Sequence, residues 1–566
     1  MQRRSLLKWS LLGGAALSAR ALPVFAQTNG PVVKTSAGRV QGQIDHGVNI
    51  FKGIPYGAST AGANRFMPPR KPMPWSEVLE AFDYGPRALQ GSGESKATAP
   101  EENPRLQALS KEGEQLSQGL FYSAPRKQSE DCLVLNVWSP GVGDGKKRPV
   151  LFWLHGGGFI GGSGDWGWSD GASLARQHDV VVVSINHRLN IFGFLYLAEF
   201  GGPKYADSGN VGMFDTVAAL EWVRGNIAAF GGDPNNVTIF GQSGGGAKVN
   251  TLMAMPAARG LFHKAFNMSG PSTKMLTTDE AAKATLAVMD ILKIDRKHID
   301  ELQRVPANDL LRAASKASKE IGSTDWRAGQ IFHGIDAPVV DGRSLPRHPF
   351  YPDAPGISAD VPLLLGNTGE EDQSRALRTA ALSDGPFDDA ALRANLKQMA
   401  LTDSQIDGLI RGYRATRPKA DAVDVLTDIV SDLEFRRDAV VMAQRKAALG
   451  RAPAYMYLFT WKTAAFNGKY QANHSSDIPF FFDNLKNASG LVGKPADPQA
   501  QALAHNMSRA LAAFARTGNP NHAGLPQWLP YTEADRKTMI FDSACKAVSD
   551  PRHADRIALE ALNLPS

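Results

Sequence analysis

Five short apolar runs constrain this chain more than any other feature. Arg148–Leu154, Asp179–Ile185, Asn236–Phe240, Val361–Leu365 and Ala454–Phe459 are rich in branched and aromatic residues, and they do not alternate with polar ones. A strand with one wet face alternates. A continuously apolar strand needs cover on both faces, which is the situation in a parallel sheet layered by helices. The segments between the runs supply that cover: Gly212–Phe230 and Ala502–Arg516 carry helical spacing, and residues 277–330 and 376–450 are rich in Ala, Leu and charge at the same period. No internal repeat of about 20–50 residues interrupts the pattern. The expected architecture is therefore α/β, a single large domain with a mostly parallel central sheet and helical insertions forming lid and pocket walls. Residues 91–128, polar and poor in apolar anchors, read as a long exposed loop.

The run ending at Phe240 leads straight into Gly241-Gln242-Ser243-Gly244-Gly245, followed by a plausible helix from Gly246 onward. A tight strand-to-helix turn lifts a serine hydroxyl out of a sheet, and flanking glycines let the backbone turn without side-chain collision. The helix start then offers free amides and positive potential where an oxyanion would form. Gly167-Trp168-Ser169-Asp170-Gly171 has the same G-x-S-x-G spacing, but no strand precedes it, so it reads as a flexible loop. A phosphate loop is excluded because Ala247 separates Gly246 from Lys248. His155-Gly156-Gly157-Gly158 follows the run ending at Leu154. Its Gly157 and Gly158 amides, with that of Gly244, form a candidate oxyanion hole.

A serine nucleophile needs a base and a carboxylate to orient it, and in sheets of this kind acid and then histidine follow the serine. Glu370, Glu371 and Asp372 come soon after the Val361–Leu365 run, at the end of a strand where parallel sheets bind ligands. Consecutive side chains cannot all point inward, so one of the three is the candidate acid. Four histidines follow: His505 within an apparent helix, His522 in a turn, His553 in a charged tail, and His474 in the polar loop Asn473–Asp477. His474 is the candidate base.

Charge suggests a different function at first. The chain has 62 Lys+Arg against 56 Asp+Glu, a formal charge of +6 that could suit a polyanionic partner. Four of those basic residues (Arg3, Arg4, Lys8 and Arg20) and none of the acidic ones lie in residues 1–26, so the balance without them falls to +2. That segment has paired arginines, an apolar stretch of about 11 residues and a small-residue site at Val24-Phe25-Ala26, the parts of an export signal too short to span a membrane. It resembles a twin-arginine signal. The expected division is a signal over 1–26 and a hydrolase domain over 27–566, exported to the periplasm or beyond, with no stable membrane anchor and no nucleic-acid partner. Two cysteines, Cys132 and Cys545, exclude a disulfide framework or a four-cysteine zinc site.

Together these segments resemble the type-B carboxylesterases, an α/β-hydrolase family that includes cholinesterases and para-nitrobenzyl esterases. Phe51–Tyr56, Ser129–Asn136, Asn186–Leu189, Phe230–Ser243, Phe514–Pro520 and Trp528–Tyr531 carry the likeness. The resemblance implies Ser243 as nucleophile, His474 as base, and Glu371 as acid, the second of the family's acidic pair. It implies a small-molecule ester as substrate, no cofactor and no metal, and a structural ion pair involving Glu130 and Arg188. Amide, carbamate or lactone hydrolysis by the same residues is the alternative chemistry, and a non-catalytic binding module is the alternative class. Gln242 and Gly244 depart from the family's usual Glu and Ala. The segment at Gly85–Ala88 lacks the cysteine that often bridges to the one matching Cys132, so both thiols are expected to be free. Residues 91–120 contain no aromatic residue, which removes the family's choline-binding tryptophan. Phe159, Trp166, Trp168 and Phe480–Phe482 are candidates for a pocket wall or for the core.

Overall fold

The computed structural model describes residues 28–91, 103–116, 127–322 and 335–564. The expected signal at 1–26 lies outside the described residues. Thirteen described strands form one sheet. In chain order the strands are β1 (Thr28–Lys34), β2 (Arg39–Asp45), β3 (Val48–Pro55), β4 (Val78–Glu80), β5 (Val134–Ser139), β6 (Arg148–Leu154), β7 (Val181–Ile185), β8 (Gly232–Gln242) and β9 (Lys264–Met268). The short β10 (Leu276–Thr277) and β11 (Val339–Val340) pair with each other apart from the sheet. It continues with β12 (Leu363–Thr368), β13 (Ala454–Phe459), β14 (Lys537–Phe541) and β15 (Lys546–Ser549). The spatial order is β1-β2-β3-β5-β7-β6-β8-β9-β12-β13-β14-β15, with β4 beside β2. From β7 to β14 neighbouring strands run parallel, whereas β1, β2, β3 and β5 form an antiparallel ribbon and β15 closes the other edge antiparallel.

The apolar runs are continuous because each strand faces two cores. Along β6, Val150, Phe152 and Leu154 enter one buried cluster, while Leu151 and Trp153 enter the other. Val181, Val183 and Ile185 of β7 divide from Val182 in the same way. All seven residues of β6 and all five of β7 are buried. Phe159, Trp166, Trp168 and Phe480–Phe482 lie in these clusters as core residues. Residues 277–322 and 373–448 are largely helical, beginning with Thr278–Leu292, whose Thr277 and Glu280 form a capping box.

Three expectations need correction. Within 91–128 the described part is no simple loop: Pro104–Leu116 is a helix. It escaped pattern reading because Leu106 is its one buried residue, and polar contacts hold it instead, including Glu112 with Lys469 and Tyr470. The Gly167–Gly171 segment is not a flexible loop, because Gly167–Ser169 is a buried 3₁₀ turn in which Ser169 donates to the Trp166 carbonyl. Glu130 and Arg188 do not pair with each other. Glu130 takes a two-pronged contact from Arg65, and Arg188 a buried one with Asp215, in each case satisfying a charge that the fold has removed from water. Cys132 is buried, Cys545 is half-buried, and both are free thiols.

Candidate active site

Strand β8 ends at Gln242, and the helix Gly244–Ala254 begins two residues later, so Ser243 alone makes the turn. Its backbone sits at φ 57° and ψ −124°, a conformation that costs a non-glycine residue about 1–3 kcal/mol. The surroundings enforce it. Ser243 N–H donates to the Met268 carbonyl at the end of β9 at 2.8 Å, and its own carbonyl accepts from Ala247 N–H at 3.1 Å. Gly245 is required here by close approach, since a Cβ would lie 2.0 Å from the Leu154 carbonyl oxygen. The helix is buried along its full length, so the turn cannot relax outward.

After β6, His155 is buried and its Nδ1–H donates to the Gly156 carbonyl at 2.8 Å. Burial and nearby positive charge push this imidazole down to about 3, so it is neutral at physiological pH. Gly157 and Gly158 then turn with φ 91° and 62°, a region that favours glycine. The loop lies directly over the Ser243 turn: a Cβ on Gly156 would be 3.5 Å from Ser243 Cβ, and one on Gly244 would be 2.1 Å from the Gly158 carbonyl. Among the described residues no protein acceptor takes the Gly157, Gly158 or Gly244 N–H groups.

The three acidic candidates after β12 serve different partners. Glu370 turns to Arg552 at 3.3 Å, and Asp372 lies 3.8 Å from Arg375. Glu371 is 2% exposed and meets His474, its Oε2 accepting from Nδ1 at 2.5 Å while its Oε1 accepts Thr368 N–H at 2.7 Å. Burial works against a charge on His474, but Glu371, with Asp372 and Asp477 beyond it, outweighs that and raises the imidazole above its ordinary range. Asp477 is itself pushed up to about 7 by burial, with the Tyr457 hydroxyl donating to it at 2.6 Å. The other late histidines are engaged elsewhere: His522 with the Asn506 carbonyl and His553 with Asp550, while His505 sits in the helix Pro498–Thr517.

The far nitrogen of His474 has a partner that sequence reasoning did not foresee. The side-chain amide nitrogen of Gln242 lies 3.1 Å from Nε2, and among the described residues no hydrogen bond joins Ser243 Oγ to the ring. With an amide N–H facing it, Nε2 is the bare nitrogen and Nδ1 carries the proton to Glu371, the tautomer of a ring ready to accept a proton. The one available signal was that Gln242 departs from the family pattern beside the serine. Thr368, which orients Glu371 through its backbone, left no trace in the sequence.

Ile160, just past the glycine loop, borders a cavity of about 630 Å³ walled by Leu311, Ala314 and Ser315 of the helix Ala307–Ile321. Among the described residues no three His, Cys, Asp or Glu side chains are placed to hold a metal, and no helix is long and apolar enough to cross a membrane.

Comparison with known proteins shows the family and the fold. A model of the carboxylesterase family matches residues 29–559. The chain is 36% identical over 530 residues to the para-nitrobenzyl esterase of Bacillus subtilis, covering 93% of this chain and 97% of that protein. It is 31% identical over 546 residues to the phenmedipham hydrolase of Pseudarthrobacter oxydans, covering 94% and 99%. A solved structure of a thermophilic PNB esterase superposes with a TM-score of 0.76 at 34% identity, covering 93% of this chain and 99% of that one.

Proposed function

This chain belongs to the carboxylesterase family, and from that premise we propose that it is an exported serine esterase working through Ser243, His474 and Glu371. The observation that carries the reading is the orientation of His474, with Nδ1 against the Glu371 carboxylate and Nε2 directed to the Gln242–Ser243 turn. Substrate entry rotates the Ser243 hydroxyl onto Nε2 in place of the Gln242 amide, and Oγ attacks the ester carbonyl as the imidazole takes its proton. The carbonyl oxygen becomes an alkoxide facing the Gly157, Gly158 and Gly244 amides, which need no reorganisation. One such donor is worth about 3–4 kcal/mol in comparable sites. Collapse expels the alcohol, protonated by His474, and leaves an acyl group on Ser243. Water, deprotonated by the same imidazole, then releases the carboxylic acid. Glu371 keeps the ring in the productive tautomer and offsets its positive charge in both halves of the cycle.

Ser243→Ala tests this directly. Hydrolysis of p-nitrophenyl acetate should fall to a trace while the protein stays folded, and substantial remaining turnover would move the nucleophile elsewhere. The export half of the reading is supported by Arg3-Arg4 and the short apolar stretch behind them. Lysine at both positions should leave the precursor in the cytoplasm, and unimpeded export of that variant would overturn it.

A further inference from the structure

One buried cation has no part in the chemistry above. Lys248 lies five residues after Ser243, in the middle of the helix Gly244–Ala254, and is fully buried. A helical side chain leans toward the N-terminus of its own helix, and that lean carries the ammonium back under the glycine loop. Its Nζ donates to the Gly158 carbonyl at 2.7 Å and to the His155 carbonyl at 3.3 Å, and lies 5.0 Å from the centre of the Phe159 ring. Those two carbonyls stand at either end of the stretch whose middle amides belong to Gly157 and Gly158. Peptide groups are planar, so holding the flanking carbonyls inward restricts where the amides between them can point. Glycine at both positions gives the loop little stiffness of its own, so the restraint has to come from outside it.

Such an arrangement is expensive to maintain. Among the described residues no ion pair forms with Lys248, and burial alone pushes its ammonium down to about 7. The neighbouring imidazoles give it no negative charge: His155 and His187 stack at 5.0 Å, and both are driven neutral by burial and by Lys248 itself. Burying an ammonium with no ion partner costs stability that its two carbonyl contacts only partly offset.

We propose that Lys248 is a positioning residue of the oxyanion hole, its ammonium clamping the His155 and Gly158 carbonyls so that the Gly157 and Gly158 amides stay aimed at the developing alkoxide. The inference rests on the serine-esterase reading above. The test compares wild type, Lys248→Met and Lys248→Gln with p-nitrophenyl butyrate, each normalised to active sites titrated by a fluorophosphonate, and measures inhibition by an alkyl trifluoromethyl ketone. The hemiketal oxyanion of that inhibitor occupies the hole. Lys248→Met should lower kcat about 10²-fold with KM nearly unmoved, and should weaken the ketone by the same factor. Lys248→Gln, which keeps donors but shortens the reach, should fall between the two and carries the test if the Met variant does not fold. Wild-type kcat and ketone affinity in a folded variant would overturn the proposal, even with a lowered Tm, since a purely structural lysine would change stability alone. Ser243→Ala separates the two levels. If it is inactive while the Lys248 variants are not impaired, the inference fails alone; if it stays active, the esterase reading fails first.

Discussion

Replacing Glu371 by Gln changes a few atoms and should remove nearly all activity, for a reason specific to this site. Thr368 N–H points at Oε1 of Glu371, so the Gln carbonyl oxygen will be held on that side and the NH₂ will face His474 Nδ1. An amide donor there forces Nδ1 to accept, which moves the ring proton to Nε2, the nitrogen that takes the Ser243 proton in the proposed mechanism. Tautomer inversion of this kind costs about 10⁴ in kcat in a comparable triad, which is about 5.5 kcal/mol at 1.36 kcal/mol per tenfold. The variant also tests electrostatics. Glu371 raises the His474 pKa, and a raised histidine contributes stability that is complete below its unfolded pKa, about 6.5, and lost as pH rises through the folded value. The difference in Tm between wild type and Glu371→Gln should therefore be larger at pH 6 than at pH 9, and the acid limb of residual kcat/KM should move to lower pH. The assays are p-nitrophenyl butyrate hydrolysis per titrated active site across pH, and thermal melts at the two pH values. Activity within tenfold of wild type would refute the tautomer argument, and an unmoved acid limb would refute the electrostatic one.

Gln242→Glu would put a carboxylate about 3 Å from Nε2 and stabilise the imidazolium from its second side. The acid limb of kcat/KM should move up by about one pH unit or more, read from initial rates between pH 5 and 9. Gly244→Ala would introduce the residue usual in the family, yet its Cβ would lie 2.1 Å from the Gly158 carbonyl oxygen and displace the oxyanion loop. We expect kcat to fall at least about tenfold with KM less affected, since displacements near 1 Å can cost about 10²-fold. Arg188→Met would strand Asp215, whose side chain is fully buried, and breaking a buried pair costs about 3–5 kcal/mol. Urea unfolding should show that loss whether or not substrate is present.

What could be read beforehand followed from how each part is stabilised. β6 and β13 are legible to the residue because two cores leave no polar positions along Pro149–Leu154 or Ala454–Phe459, and the Ser243 turn because strand, glycine and helix leave a local record. The antiparallel ribbon β1-β2-β3 mixes exposed and buried residues and has no such record. The same holds for the helix Pro104–Leu116, which is fastened by polar contacts with residues about 360 positions away. Spacing offered three acids for one role, and the family resemblance selected Glu371, the one whose carboxylate lies against His474. The resemblance implies an ion pair involving Glu130 and Arg188, but each pairs elsewhere, Glu130 with Arg65 and Arg188 with Asp215, because a shared motif names charged positions without fixing which opposite charge a fold brings near. The contact of Gln242 with the base depends on side-chain orientation at a strained residue, which no linear pattern encodes.

The acidic turn after β12 also bears on how an enzyme of this kind can be remodelled. Three successive carboxylates make their direct contacts with three different groups: Arg552 near the C-terminus, the imidazole, and Arg375 on the following helix. A point substitution at one of them leaves the direct contacts of the other two in place. Adding or deleting one residue would shift the frame, turning an acid meant for arginine toward the histidine and disconnecting the C-terminal segment in the same event. Libraries that vary loop length should therefore leave residues 369–372 untouched and place their insertions within 382–386 or at Pro418–Lys419, which carry none of these contacts.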